Sequence, residues 1–262
     1  MADESPLALV TGASNGIGRE LAQLMAARGF DLVVAGRGEH LHTAAEDFRA
    51  AGARVEPVRA DLSRAEEVDR LWQAVLDQRR PLEAAAVHAG IGIGGAFLDN
   101  DLDEQRRLID LNVTSVVHLS ERVARAMTEQ GRGRILITSS ISATLPTPYE
   151  TTYGPSRAFA RMFALSLREE LRGTGVTVTS FMPGATDSDF HARAGMGNTA
   201  FGPNEGKNDK AEVARQGFEA MLAGRAEVVG GDRATKRTAL LNRVLPEPFK
   251  AARHARKAKP RT

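Results

Sequence analysis

The segment Thr11-Gly12-Ala13-Ser14-Asn15-Gly16-Ile17-Gly18 constrains the fold of this chain more than any other. An apolar run short enough for a buried strand, Leu7-Ala8-Leu9-Val10, precedes it. Leu21, Leu24 and Met25 follow at helical spacing. Strand, glycine turn and helix in that order suit a dinucleotide-binding loop. Gly12 permits a tight turn, Gly16 lets backbone N–H groups approach a pyrophosphate, and Gly18 lets helix and strand pack closely. The helix N-terminus then offers free N–H groups and a positive dipole end to phosphate. A plain structural turn is the competing reading. No Lys follows Gly18, which argues against an ATP-type phosphate loop.

The rest of the chain repeats the alternation. Further strands are expected at Phe30 to Gly36, Arg54 to Ala60, Leu82 to His88, Gly133 to Ser139, Val176 to Met182 and Ala226 to Gly230. Pro57 weakens the Arg54 to Ala60 run by removing a donor. Helices are expected from Gly38 to Gly52, from an N-cap at Ser63, from Asp103 to Gln130, from Tyr153 to Gly173 and from Lys210 to Gly224. Strands alternating with helices predict an α/β fold, a doubly wound parallel sheet in a single domain, with ligands at the carboxyl ends of the strands. The helices carrying Leu108 to Val123 and Phe159 to Leu167 are apolar around much of their circumference. Self-association and burial by the chain itself explain this equally well.

With 262 residues, 42% of them hydrophobic, the chain is long enough for one large α/β domain. It has no cysteine, which excludes disulfides, thiol nucleophiles and cysteine-ligated zinc. The histidines make no metal-ligand spacing, so no metal is expected. The acidic start is wrong for a secretory signal and no apolar run spans a bilayer, so a cytoplasmic protein is expected. The net charge of +2 is unevenly spread: Lys236 to Thr262 hold nine basic residues against one acid, Glu247. The division is therefore a domain over 1–235 and a basic tail over 236–262. Such a tail is expected to be solvated, to be dispensable for cofactor binding, and at most to touch anionic surfaces weakly; no nucleic-acid partner is expected.

A second informative stretch contains Ser139, Ser140, Tyr153 and Arg157. Ser140 lies just past a strand that ends at the ligand edge. Tyr153 and Arg157, four apart on a helix, share one face. A phenol is a poor acid or base at neutral pH, and a cation one turn away favours its ionised form. A serine hydroxyl can hold a carbonyl beside it. An amphipathic helix residue and a turn residue account for the two positions equally well on their own.

Together with Asp61-Leu62, Ala89-Gly90, Asn112 and Pro183-Gly184, these stretches resemble the short-chain dehydrogenase/reductase family over roughly Ser5 to Gly231. The resemblance implies a Rossmann fold and a nicotinamide cofactor held by Gly12, Ser14, Asn15, Gly16, Ile17, Gly18, Asp61, Leu62, Ala89, Gly90, Pro183, Gly184 and Thr186. It implies Tyr153 as acid/base, Ser140 as carbonyl positioner and Asn112 in the proton-relay framework, with Tyr153, Asn112 and residue 157 also at the cofactor.

Three positions depart from the family pattern. Arg157 stands where the family has Lys, Val87-His88 where it has Asn-Asn, and Gly154-Pro155 follows the tyrosine. Arginine keeps the charge but cannot shed a proton, so cofactor binding is expected to survive better than proton transfer. His88 is expected to fill the asparagine position and bond the sheet edge. Gly154-Pro155 is expected to disturb the helix start.

The second strand ends at Ala35-Gly36-Arg37 with no acid for ribose hydroxyls, and Arg37 suits a 2′-phosphate, so NADP(H) is the expected cofactor. The expected activity is interconversion of a carbonyl and an alcohol. An NADP(H)-binding sensor or scaffold with little turnover is the alternative. Leu145, Pro146, Phe190 and Met196 suggest a partly apolar small-molecule substrate. Gly195 to Lys207 suits a mobile lid. A homodimer or homotetramer is the expected assembly.

Overall fold

Alternation along the first apolar run decides which helices cover which face of the sheet. In β1 (Leu7–Thr11), Leu7 and Leu9 enter one core, while Ala8 and Val10 enter the other. The computed structural model describes residues 5–203 and 205–260. The acidic first four residues, residue 204 of the glycine-rich loop and the last two residues of the basic segment lie outside them.

After β1 come α1 (Gly16–Ala27), β2 (Asp31–Gly36), α2 (His40–Ala50), β3 (Val55–Arg59), α3 (Ala65–Leu76) and β4 (Leu82–Val87). The middle of the chain supplies α4 (Leu102–Ile109), α5 (Ser115–Glu129), β5 (Gly133–Thr138), α6 (Tyr153–Glu170) and β6 (Val176–Pro183). The four-residue α7 (Phe190–Arg193), then α8 (Lys210–Leu222), β7 (Glu227–Gly230), α9 (Arg233–Leu241) and α10 (Glu247–Ala258) complete it. The strands form one parallel sheet in the order β3-β2-β1-β4-β5-β6-β7. Leu21, Leu41, Phe48 and Phe218 bring α1, α2 and α8 onto one face. Leu71, Leu119, Val123 and Ala160 bring α3, α5 and α6 onto the other. Strand order reverses between β1 and β4, which opens a crevice at their carboxyl ends. Pro57 is accommodated because β3 is an edge strand.

Several expectations are corrected. The helix expected over Asp103 to Gln130 is interrupted by a π-helical turn at Asp110–Thr114, which separates α4 from α5 and buries Asn112 completely. Ser63 does not cap α3; it donates its hydroxyl to Asp61 Oδ1 at 2.8 Å, and Arg64 holds the cap position. The helix start at Gly154-Pro155 is undisturbed: α6 begins at Tyr153, with Gly154 N donating to Glu150 O at 3.1 Å and Pro155 in the first turn, where a missing N–H costs little. Ile109, Val117, Phe159 and Met162 stay exposed, so the chain does not cover all of the apolar faces of α4, α5 and α6.

The segment from 236 onward is not a solvated tail. It contains most of α9 and all of α10, and α10 folds back onto the loop before α6. His254 Nε2 meets Glu150 Oε2 at 2.9 Å, with both side chains buried. The buried Lys250 donates to Asn242 O at 3.0 Å and Glu247 Oε1 at 2.6 Å. Leu245 to Pro248 ends one helix and starts the next, with Pro248 in the first turn of α10. Composition hid this, because the anchors of α10 at Lys250 and His254 are polar.

Candidate active site

Thr11 stitches the crevice together. Its hydroxyl accepts the backbone N–H groups of His88 at 2.9 Å and Ala89 at 3.0 Å, tying the ends of β1 and β4. Gly12 then turns the chain at φ +73°, and a Cβ on Gly18 would lie 2.2 Å from the Gly12 carbonyl oxygen. Only glycine lets α1 start that close to the strand. Asn15 holds the cap position in extended conformation without a side-chain capping bond, and the first turn of α1 carries no acid. The free N–H groups of Gly16 and its neighbours face a cleft of about 680 Å3.

Ser14 Oγ is buried and has no hydrogen-bond partner among the described residues, and a Cβ on Gly36 would lie 2.1 Å from it. A buried orphan hydroxyl beside a glycine, at the end of β2, fits a polar ligand group entering there. At the same corner Arg37 Nη1 stands 3.7 Å from Asp61 Oδ2, and Arg107 Nη2 donates to that oxygen at 3.0 Å. Leu62 is buried behind them, and Ile17 packs partly on the core under α1. Pro183 ends β6; Gly184 N donates to Gly230 O at 2.8 Å, and Thr186 Oγ1 donates to Gly184 O at 2.9 Å. Glycine cradle, orphan hydroxyl and basic corner together fit a dinucleotide.

The second cluster meets the cradle across the same cleft. Tyr153, first residue of α6, is 8% exposed, and its ring lies 5.3 Å from that of Phe190. Arg157, one turn on, places its guanidinium carbon 5.2 Å from the centre of the Tyr153 ring. Nη1 donates to Thr138 O at 3.3 Å, Nε is buried without a partner among the described residues, and Nη2 occupies the space that a Cβ on Gly90 would need. Ser139 Oγ donates to Arg157 O at 2.7 Å. Ser140 Oγ, in the cleft, accepts from Ser142 N at 3.1 Å. Asn112 accepts from Ile91 N at 3.0 Å and donates to Ile91 O at 2.8 Å and Ser156 Oγ at 3.1 Å. All the site residues expected from sequence therefore converge on one cleft or its supporting wall. Leu145 and Phe190 line it, while Met196 is buried against Ala194 and Ala258.

Sequence reasoning does not single out Thr138, Ser156, Glu150 or His254. Thr138 carried a usable signal, a polar residue at the ligand end of an apolar strand; the Glu150–His254 pair spans 104 positions and carried none.

His88 bonds the sheet edge, its Nδ1 lying 3.0 Å from Thr138 Oγ1. Burial, and then the Arg157 charge, push its pKa from 6.5 down to about 4, so the ring is neutral at physiological pH. The unfolded chain takes up that proton near pH 6.5 and the folded chain only near 4, so stability is full above about 6.5 and declines as pH falls toward 4. The total is on the order of 3 kcal/mol. Unfolding midpoints of wild type and His88→Asn across this window check it. The variant is expected to lose part of the acid slope, the remainder belonging to His191, which burial and Lys207 also depress to about 4. Identical slopes would show that His88 titrates as in a free chain.

With that geometry in place, the comparisons with known proteins are specific. The short chain dehydrogenase family model matches residues 6–198. An uncharacterized oxidoreductase of Myxococcus xanthus is 38% identical over 193 residues, 71% of this chain and 74% of that protein. A 3-oxoacyl-[acyl-carrier-protein] reductase of Synechocystis is 32% identical over 188 residues, covering 70% and 75%. Among solved structures, a short-chain dehydrogenase of Sphingobium yanoikuyae in complex with NADPH superposes with a TM-score of 0.81 at 27% identity, covering 90% of this chain and 92% of that one.

Proposed function

The chain belongs to the short-chain dehydrogenase family, an oxidoreductase family using pyridine nucleotides, and from that premise we propose that it is an NADP(H)-dependent enzyme interconverting a carbonyl and an alcohol. The observation that carries the reading is the buried Arg157 guanidinium seated beside the Tyr153 ring in the cleft shared with the glycine cradle. Bound in that cradle, the cofactor supplies or accepts the hydride. Ser140 Oγ holds the substrate oxygen. Tyr153 Oη gives its proton to that oxygen in reduction and takes one back in oxidation. Asn112 keeps the wall rigid through its bonds to Ile91 and Ser156. The exposed side chains of Val117, Phe159 and Met162 support a homodimer or homotetramer.

The preference for NADP(H) rests on Arg37. Its side chain is 61% exposed, its nearest carboxylate is the shared Asp61, and no acid ends β2 to claim ribose hydroxyls. A 2′-phosphate there gains charge-assisted bonds. Titration of both cofactors is expected to show NADPH binding at least about tenfold tighter than NADH, with the ratio collapsing in Arg37→Ala. Equal or tighter NADH binding at moderate salt overturns the assignment. The NADPH found in the Sphingobium yanoikuyae relative supports it.

A further inference from the structure

We propose that the substrate of this site is an amphiphile: a carbonyl compound with an apolar stretch that ends in an anionic group, a carboxylate or its equivalent, held by Arg193, Arg253 and Lys257. The proposal rests on the oxidoreductase reading above and names the substrate class of that same site. Its starting point is where α10 lies. The helix is anchored on the loop between Ser140 and Tyr153, through His254 to Glu150 and through Lys250 Nζ to Thr144 O at 3.3 Å. Ala200 N donates to Lys257 O at 3.0 Å, which fixes its far end to the glycine-rich loop. It thus closes the cleft on the side of the serine and tyrosine, away from the Ser14–Arg37 corner.

That anchoring sets the direction of the charges. Arg253 and Lys257 are four apart, share one face of α10, and line the cleft together with Arg193 of α7. Among the described residues none of the three has a carboxylate within ion-pairing distance. Arg253 is held instead by the neutral Asn242 Oδ1 at 2.8 Å. Of the cleft carboxylates, Asp61 is engaged by Arg107 and Glu150 by His254, and Glu104 is carried by α4. A concave site with unmatched cations focuses a positive potential on whatever enters it.

Between Tyr153 and α10 the wall is a relay of rings. Phe190 stands 5.5 Å from His191, His191 5.9 Å from Phe201, and Phe201 5.5 Å from His254. Leu145 adds an aliphatic surface. Such a wall takes a hydrocarbon segment, with the reacting carbonyl at one end and the cations at the other. Cofactor phosphates are a poor account of Arg253 and Lys257, which stand on α10. The free N–H groups of α1 lie beside Ser188, the Cβ of which is 3.5 Å from where a Gly16 Cβ would be, and Arg37 stands at the end of β2.

Calorimetric titration of the full chain with saturating NADPH, using octanoate and 1-octanol as probes, tests the assignment. Octanoate is expected to bind about tenfold tighter than octanol, with the margin shrinking as salt rises from about 50 to about 500 mM. Arg193→Gln, Arg253→Gln and Lys257→Gln are each expected to weaken octanoate while leaving octanol and NADPH unchanged. Equal binding of the two probes overturns the proposal, as does failure of both to bind. A loss of NADPH affinity in these variants with octanoate unaffected also overturns it, because the cations then serve the cofactor. A chain that binds no NADPH sinks the oxidoreductase reading instead, and octanoate against octanol on the chain alone still decides this one.

Discussion

Tyr153→Phe is expected to lower turnover by about 10²–10⁴-fold on any carbonyl substrate while leaving NADPH affinity unchanged. The change removes one hydroxyl from a ring that is otherwise kept. Phenylalanine can retain the contact with Phe190 at 5.3 Å and the packing under the Arg157 guanidinium at 5.2 Å. The helix start, set by Gly154 N on Glu150 O, is untouched. What disappears is the only proton that the proposed reaction can deliver to the substrate oxygen from α6. Single-turnover measurement of NADPH oxidation separates this step from binding. Intact turnover in the variant would move the acid/base role elsewhere, and His88 would be a poor replacement because its pKa is depressed to about 4. Ser140→Ala is the natural companion, with a smaller loss, since it removes a positioning bond and no proton.

The parts of the site that were legible in the sequence are those where backbone geometry demands a residue type locally. Gly12 and Gly18 stand where a Cβ would strike the β4 end or the Gly12 carbonyl, and flanking strand and helix periods place them. The same holds for the core: consecutive residues of β1 enter opposite faces, which gives the near-continuous apolar run of a strand buried on both sides. What stayed hidden depends on distant partners. Nothing in Asp110 to Thr114 announces a π-helical turn, and the bonds of its Asn112 to Ile91 and Ser156 reach across the fold. The basic segment after Lys236 looked solvated because its lysines and arginines outnumber apolar residues. Lys250 and His254 are nonetheless buried, each satisfied by oxygens from segments about a hundred residues away or by its own helix start. Ser63 leaves α3 uncapped for a related reason: Asp61 competes for its hydroxyl.

Arg157 carries the other large effect. Its guanidinium is buried with Nη1 on Thr138 O, Nη2 against Gly90 and Nε without a partner among the described residues. An unpaired buried donor costs free energy unless something arrives to accept from it, and the cleft is the open side. Arg157→Met removes the charge from this enclosure. It is expected to lose both NADPH affinity and turnover, and to relieve one of the two pressures that hold His88 neutral, so the His88 titration followed by NMR moves upward from about 4. Arg157→Lys keeps the charge on a slimmer stem with three rotatable donors, leaves no orphaned Nε, and regains a group able to pass a proton. It is expected to retain kcat or raise it, with His88 still depressed. Adding a side chain at position 154 as well is ruled out by packing: a Cβ there would lie 2.0 Å from Thr147 Oγ1, which itself donates to Glu150 O at 3.0 Å. Lysine alone is therefore the informative change. If Arg157→Met retains full turnover, the guanidinium is only a wall of the site. If the wild type binds NADPH tightly without turnover and Arg157→Lys creates it, the arginine has turned an enzyme site into a binding site, and the charge beside Tyr153 is insufficient without a proton to relay.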